Sequence, residues 1–166
     1  MDLNVFKKEL PNIFEKVKKD VEKLYKRHRA GLNLGLAEMG MYREGFVGGM
    51  HFYPGTDIIM NKTPLRMIID QQSYEIGWAY AYHILLHEYI HSLGVIDENQ
   101  CQVITKDITI KIFKEKDHPA VIFTNQGIGA FFPNLNIVYS PPGLKPENIN
   151  IEYIRGFDTH SYSYYS

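Results

Sequence analysis

The chain of 166 residues has a mass of 19.3 kDa, which is the size of one ordinary domain. Its 18 Lys and Arg against 19 Asp and Glu give a formal charge of -1, which argues against a nucleic-acid partner because such proteins usually carry a strong positive field. Hydrophobic residues make up 45% of the chain and charged residues 22%, and this balance excludes an intrinsically disordered protein. No stretch approaches the roughly 18 consecutive apolar residues that predict a transmembrane helix.

Cysteine usage and the first residues together predict a cytoplasmic protein. Cys101 is the only cysteine in the sequence, so no internal disulfide can form. The opening residues, MDLNVFKKEL, lack the apolar run of a signal peptide. Both features favour a reducing compartment.

Residues 1–31 are predicted to form an amphipathic helix that ends near Gly31. Charged residues alternate there with apolar residues at helical spacing, namely Leu10, Ile13, Phe14, Val17, Val21, Leu24 and Tyr25. The segment from Lys7 to Arg29 holds nine basic and four acidic residues. This local positive charge favours either the solvated outer face of a packed helix or a surface that meets RNA or a membrane.

Residues 32–72 have a different residue pattern, which predicts a small β segment. Short apolar pieces are separated by glycines, and Pro54 and Gly55 mark a turn before the strand-like run from Ile58 to Met60. The run ends where Thr63 and Pro64 interrupt it, so we expect strands joined by tight turns.

Two neighbouring helices are predicted next. The first spans residues 73–94, with Ser73 as a cap and Gly94 at its end, and the second spans residues 97–115. Residues 117–166 are predicted to be irregular, with strands at Leu135 to Tyr139 and Ile149 to Ile154. The sequence therefore predicts a single α+β domain over residues 1–166, in which a small mixed or antiparallel sheet packs on the first of these helices.

His87, Glu88 and His91 form an HExxH motif within the first of these helices. Residues four apart on a helix project from one face about 6 Å apart, so both imidazoles can bind one Zn²⁺. Glu88 lies one residue round the helix, beside the place of a metal-bound water, which is the position of a general base. His83 is excluded as a third ligand because it lies about 12 Å along the axis from His91.

The third metal ligand must come from beyond Gly94, and Asp97 and Glu98 are the candidates. The pattern HExxHxxGxxD favours Asp97, but all six methionines precede His87, so the methionine turn that accompanies that pattern cannot form. Asp97 also has the capping-box spacing to cap the next helix. We therefore expect Glu98 as the third ligand, with Asp97 as the alternative.

The motif and its setting resemble the zincin metallopeptidases, and most closely the short gluzincin-like proteins called minigluzincins. The resemblance rests on His87, Glu88 and His91, on a following helix that opens with an acid, and on the glycine-rich segment upstream. It implies a zincin-like fold, a Zn²⁺ cofactor and hydrolysis of a peptide or protein substrate. It further implies that the substrate chain adds antiparallel to a strand, for which residues 48–61 are the candidate segment.

The expected mechanism is metal-assisted hydrolysis, in which Zn²⁺ activates its bound water while Glu88 takes the proton and passes it to the leaving amine. Zincins often add an electrophilic His or Tyr. No spacing in this sequence selects among the candidates, which are His118, Tyr139, Tyr153 and His160.

Two alternative functions stay open. A YbeY-like endoribonuclease has a third histidine at the spacing where Asp97 falls, and the basic first helix would suit RNA, but the Glu88 position favours the peptidase. The other is a non-catalytic or latent zinc-binding module that acts through partners, whose site Cys101, one helical turn after Glu98, could close as a soft fourth ligand. Either the first helix or the aromatic tail, with Tyr162, Tyr164 and Tyr165, could also block the cleft.

Overall fold

The computed structural model describes residues 1–41, 45–132 and 150–158, together with the backbone of residues 137 and 138. The helices are α1 (Leu3–Phe6), α2 (Leu10–Tyr25), α3 (Lys62–Gln71), α4 (Tyr74–Ser92), α5 (Glu98–Phe113) and α6 (Pro119–Gln126). The strands are β1 (Asn33–Ala37), β2 (Phe46–Val47), β3 (Gly49–His51), β4 (Asp57–Asn61), β5 (Ile137–Val138) and β6 (Glu152–Tyr153). The predicted α+β class, one small domain with a mixed sheet, is confirmed.

Four strands form a mixed sheet in the order β3-β4-β1-β6. β1 runs parallel to β4, with Leu34 opposite Ile58, whereas β3 and β6 run antiparallel to their neighbours. β3 and β4 are consecutive strands joined by a turn over residues 52–56, and among the described strands β3 is the last one on its side of the sheet. Strands β2 and β5 pair in parallel as a separate two-stranded sheet.

Helix α4 lies at the centre of the core, as its sequence predicts. Fifteen of its 19 residues are buried, including all of those from Ala79 to Ser92. Helices α2, α5 and α6 and strand β3 all contact it, which explains why its apolar residues cover every face. None of the helices in the described part of the chain is long and apolar enough to span a bilayer.

The first helix is shorter than predicted. α2 ends at Tyr25, because Lys26 adopts a left-handed conformation with φ of 56°. The chain then turns back toward the end of α4, where the Arg27 guanidinium donates to the Leu93 carbonyl at 2.6 Å. Lys18, on α2 itself, is buried and pairs with Asp158. Part of the basic charge of this segment therefore makes internal contacts.

Two helices were missed by the sequence analysis. Residues 62–71, which were assigned to the β segment, form α3, since the Asn61 side chain accepts from the Thr63 N–H at 3.1 Å and caps the helix. Residues 119–126, which were assigned to the irregular segment, form α6, capped by His118 and with Pro119 in its first turn. Both helices are short and have a proline in the first turn, and at Pro64 this signal also indicates a break, which is the interpretation given above.

Several predicted features lie wholly or partly outside the described residues. Of the predicted strand Leu135 to Tyr139, only β5 lies within them. Of the predicted strand Ile149 to Ile154, residues 150–154 are described, and β6 covers two of them. The tail tyrosines lie outside the described residues.

Candidate metal centre

Helix α4 carries the HExxH residues in its last turns, and α5 follows after a short connection. Gly94 ends the α4 segment with φ of +101°, a conformation that side-chain-bearing residues rarely adopt. The Asp97 carboxylate accepts a hydrogen bond from the Gln100 N–H at 2.8 Å. Asp97 is thus the cap of α5, and Glu98 is the first residue of that helix.

The Glu98 carboxylate lies between the two histidines of the motif. Its Oε1 is 2.6 Å from the Nε2 atom of His91, and its Oε2 is 3.1 Å from the Nε2 atom of His87. Both imidazoles are buried, while the Glu98 side chain is 31% exposed, so the group opens toward solvent on the Glu98 side. The structure therefore brings together the two expected histidine ligands and the favoured third ligand, and it places Asp97 at the helix cap.

The hydrogen bond made by Nδ1 fixes the tautomer of the His91 ring. Nδ1 lies 2.6 Å from the Val95 carbonyl oxygen, which can only accept, so Nδ1 carries the proton. In the neutral ring Nε2 then presents a lone pair to the Glu98 carboxylate. Two acceptors at 2.6 Å require a proton or a cation between them. This arrangement has the carbonyl-anchored form typical of metal-binding histidines.

The electrostatics of the group also suit a cation. Burial lowers the pKa of His87, which favours the neutral imidazole that coordination requires. Partial burial raises the pKa of Glu98, but hydrogen bonding to His87 and the charges of both histidines outweigh it, so the pKa is lowered overall. The Glu98 carboxylate is therefore ionised near neutral pH, while burial opposes a positive charge on the neighbouring His87 ring.

Glu88 is enclosed on the side of α4 that faces the sheet. It is 2% exposed, and its Oε1 has no hydrogen-bond partner among the described residues. Burial raises the pKa of Glu88 well above its usual value, and the nearby Glu98 charge adds to this. A buried carboxyl group with an unpartnered oxygen is costly to the fold and is typical of functional sites.

Strand β3 approaches α4 closely at Gly49. A Cβ atom at this position would lie 2.9 Å from the Cγ2 atom of Ile84 and 3.4 Å from the Cγ atom of Glu88. Glycine therefore allows the edge strand to pass directly beside Glu88. The glycine-rich pattern that predicts a sheet thus also permits the close contact of Gly49 with α4.

The next residues of this edge lie beside the end of α4. His51 is buried and its Nε2 donates to the Gly55 carbonyl at 2.8 Å. Burial lowers the pKa of His51, and the charge of nearby His91 acts in the same direction. The Tyr53 ring lies 3.7 Å from the position that a Cβ on Gly94 would occupy. The strand and the turn that follows it thus flank the histidine end of α4.

Arg29 joins this turn to α4, a role that the sequence analysis missed. Its guanidinium donates to the carbonyl oxygens of Ser92, Pro54 and Gly55, each at 2.7 Å. Its backbone N–H donates to the Tyr89 hydroxyl at 3.0 Å. Arg29 thus ties the turn after β3 to the end of α4.

Cys101 is fully buried against α4. Its thiol donates to the His87 carbonyl at 3.2 Å. The sulfur and one ring nitrogen each of His87 and His91 lie within 4.8 Å of one another. Burial raises the pKa of this thiol, and the charges of Glu88 and Glu98 add to the effect. Cys101 thus packs as a neutral buried residue, and it also lies near enough to be an alternative ligand.

His83 packs behind the two histidines of the motif. Its ring stacks on Phe123 with the centroids 6.3 Å apart. Burial lowers the pKa of His83 to about 3, and the charge of His87 adds to this. His83 is consequently neutral near pH 7 and supports the helix from within the core.

The candidates for an electrophilic residue do not meet the centre where they are described. His118 caps α6, while the exposed Tyr153 lies on β6, at the opposite edge of the sheet from β3, and its hydroxyl donates to Asp57 at 2.7 Å. Tyr139 and His160 lie outside the described residues. No electrophilic residue is assigned.

No protein-family model, no curated protein and no solved structure matches this chain. Whether this centre suits a metal ion therefore depends on its donor atoms. In tetrahedral zinc sites with bonds near 2.0 to 2.1 Å, neighbouring donor atoms lie about 3.3 Å apart. Two imidazole nitrogens and a carboxylate are donors of the kind that zinc takes, whereas the contacts of Glu98 at 2.6 and 3.1 Å are hydrogen-bond distances made by two different oxygens, so it is the donor chemistry that fits the ion.

Proposed function

We propose that this protein is a zinc-dependent metallopeptidase of the gluzincin-like type. The observation that carries the proposal is the Glu98 carboxylate in contact with the Nε2 atoms of both His87 and His91. A zinc-binding centre with three protein ligands leaves a coordination position open, which is typical of catalytic rather than structural sites. The buried Glu88 beside it supplies the base that hydrolysis requires.

In this proposal His87, His91 and Glu98 hold the metal, which when bound would activate the attacking water and polarise the scissile carbonyl. Glu88 accepts a proton from the water and passes it to the leaving amine. Its raised pKa suits this exchange, because a group with a pKa nearer neutrality both accepts and returns a proton readily.

Strand β3 is the proposed substrate platform. It pairs only with β4 among the described strands, so its other edge can offer backbone hydrogen bonds to an extended peptide. Gly49 brings this strand beside Glu88, and Arg29 fixes the turn that follows. A peptide added antiparallel to β3 would therefore pass along the side of α4 that carries the proposed base.

A structural zinc site is the second candidate, favoured by one observation. The sulfur of Cys101 is near the ring nitrogens of His87 and His91, and a thiolate there could close the coordination sphere. The ribonuclease alternative has less support, since its third ligand would be Asp97, whose carboxylate caps α5.

The deciding experiment is metal content by mass spectrometry on protein purified without a metal-affinity tag. We expect about one zinc per chain in the wild type, loss with Glu98→Ala, and retention with Asp97→Ala as the neighbouring control. Retention with Cys101→Ala supports the open site, whereas loss with Cys101→Ala supports the structural one. Absence of zinc after reconstitution refutes both.

Activity is tested on the same preparations with a peptide library. We expect zinc-dependent cleavage that is lost in Glu88→Gln while the zinc content is kept. Cleavage that persists in Glu88→Gln would contradict the assignment of the base. RNA cleavage by the zinc-loaded protein, without peptide cleavage, would replace the peptidase with the ribonuclease.

A further inference from the structure

Exposed apolar side chains lie together beside the end of α4. Phe52, Tyr53 and Ile96 are 49%, 52% and 69% exposed. The Tyr53 ring lies 3.7 Å from the position that a Cβ atom on Gly94 would occupy. Ile96 follows Gly94 by two residues, which span at most about 7 Å. We refer to Phe52, Tyr53 and Ile96 as the apolar rim.

The apolar rim borders the metal centre on its open side. Gly94 and Ile96 both belong to the connection between α4, which carries His91, and α5, which begins with Glu98. The group opens toward solvent on the Glu98 side, since that side chain is 31% exposed. A peptide that approaches the centre from this side comes close to the apolar rim.

Hydrogen bonds hold the turn that carries the two aromatic residues of the rim. The Gly55 N–H donates to the Phe52 carbonyl at 2.7 Å, and the His51 ring donates to the Gly55 carbonyl at 2.8 Å. The Arg29 guanidinium donates to the same carbonyl and to the one before it, each at 2.7 Å. The backbone under Phe52 and Tyr53 is therefore fixed, so covering these rings requires little ordering of the protein.

The direction of β3 determines which part of a peptide meets the rim. Gly49 lies beside Glu88, whereas Tyr53, four residues later, lies beside Gly94, near the end of α4. β3 and α4 therefore run in the same direction. A peptide added antiparallel to β3 runs the opposite way, so its residues that pass Tyr53 precede those that pass Glu88.

We propose that the apolar rim is the specificity site of this peptidase, and that it binds a large apolar side chain of the substrate about three or four residues before the scissile bond. The inference rests on the proposed peptidase function, in which Glu88 acts at the scissile bond. The distance follows from the separation of Gly49 from Phe52 and Tyr53, because paired strands advance residue for residue. An apolar side chain on these rings removes apolar surface from water, whereas a polar one would lose its water contacts without gaining a partner.

The test compares two peptides that differ at one position. A peptide library is cleaved by the zinc-loaded full chain, and the peptide cleaved fastest is remade with serine in place of its apolar residue. We expect the KM of the serine peptide to be roughly fivefold to tenfold higher with kcat little changed, because the contact binds the substrate and the transition state equally.

Variants locate the contact. Tyr53→Ser should raise the KM of the apolar peptide by a similar factor while the KM of the serine peptide and the zinc content stay unchanged, and Tyr53→Phe, which keeps the ring, should behave like the wild type. Tyr153→Ser is the matched control, since it removes a tyrosine that is 53% exposed at the other side of the sheet. Binding of the apolar peptide to Glu88→Gln, which holds it without cleavage, should weaken by the same factor when Tyr53→Ser is added.

Two results would overturn the specificity site and leave the peptidase in place. One is cleavage of peptides by the wild type without a preference for an apolar residue at this distance, and the other is equal behaviour of Tyr53→Ser and Tyr153→Ser. Failure of the zinc-loaded wild type to cleave any peptide would overturn both the specificity site and the peptidase function.

Discussion

Replacing Glu88 with glutamine should stabilise the metal-free protein while abolishing its proposed activity. The Glu88 carboxyl is 2% exposed and one of its oxygens has no partner among the described residues. Burial raises its pKa well above the usual 4.5, so the folded protein holds a proton that the unfolded chain releases. Glutamine keeps the shape and removes this ionisation.

The direction and size of the effect follow from proton linkage. A carboxyl whose folded pKa is raised contributes no penalty below its unfolded pKa, and stability is lost as the pH rises from there toward the folded pKa. In that window each pH unit lowers the free energy of unfolding by about 1.4 kcal/mol. Above the unfolded pKa and below the raised folded pKa, the wild type should therefore lose stability relative to Glu88→Gln at up to about 1.4 kcal/mol per pH unit, or roughly 3 to 6 °C in Tm.

The assay is urea unfolding of both proteins at several pH values in the presence of a chelator. Titration of the histidines affects both proteins, so the difference between them isolates Glu88. Glu115→Gln, which changes an exposed glutamate, is the matched control and should run parallel to the wild type. Parallel curves for Glu88→Gln and the wild type would refute the reasoning, because they would mean that Glu88 ionises in the fold as freely as in the unfolded chain.

Three further changes test how the site is held. Arg29→Ala should lower the free energy of unfolding, measured with urea, by roughly 1 to 3 kcal/mol, since it removes hydrogen bonds to three carbonyls. The control Arg155→Ala, at an exposed position, should change it by less than about 0.5 kcal/mol. Equal effects would contradict the proposed role of Arg29 in joining the turn to α4. Asp158→Ala should cost roughly 1 to 3 kcal/mol in the same assay, because it removes one of the acid partners of the buried Lys18 and leaves Glu15 at 3.1 Å, and a loss below about 0.5 kcal/mol would show that the pair is solvated. Gly49→Ala should cost roughly 1 to 3 kcal/mol and slow peptide cleavage with zinc content unchanged; unaltered stability and cleavage would contradict the close approach of β3 to α4.

Local patterns in the sequence predicted those parts of the site that depend on near neighbours. The four-residue spacing of His87 and His91 puts both on one face of a helix. The Asp97 side chain can cap the next helix by accepting from the N–H of Gln100, three residues ahead, and this role competes with metal binding. Because Asp97 is suited to the cap, the sequence favours Glu98 as the ligand. Each of these steps involves residues within one or two helical turns.

Contacts between distant segments could not be predicted in the same way. Arg29 reaches carbonyls 25 to 63 residues away, and nothing in the basic run distinguishes it from the lysines around it. His51 and Gly49 read as ordinary strand residues, although their neighbours across the fold are His91 and Glu88. These partners become visible only when β3 is placed beside α4.

The sequence by itself determined that this chain forms one α+β domain with a buried HExxH helix, because hydrophobic periodicity, caps and turns act over a few residues. The tertiary structure alone decided which carboxylate contacts the two histidines and which strand passes Glu88. It also decided which acid pairs with the buried Lys18 of the first helix. These contacts depend on the tertiary structure because burial and charge pairing are determined by distance in space, and residues far apart in the sequence can be close in space.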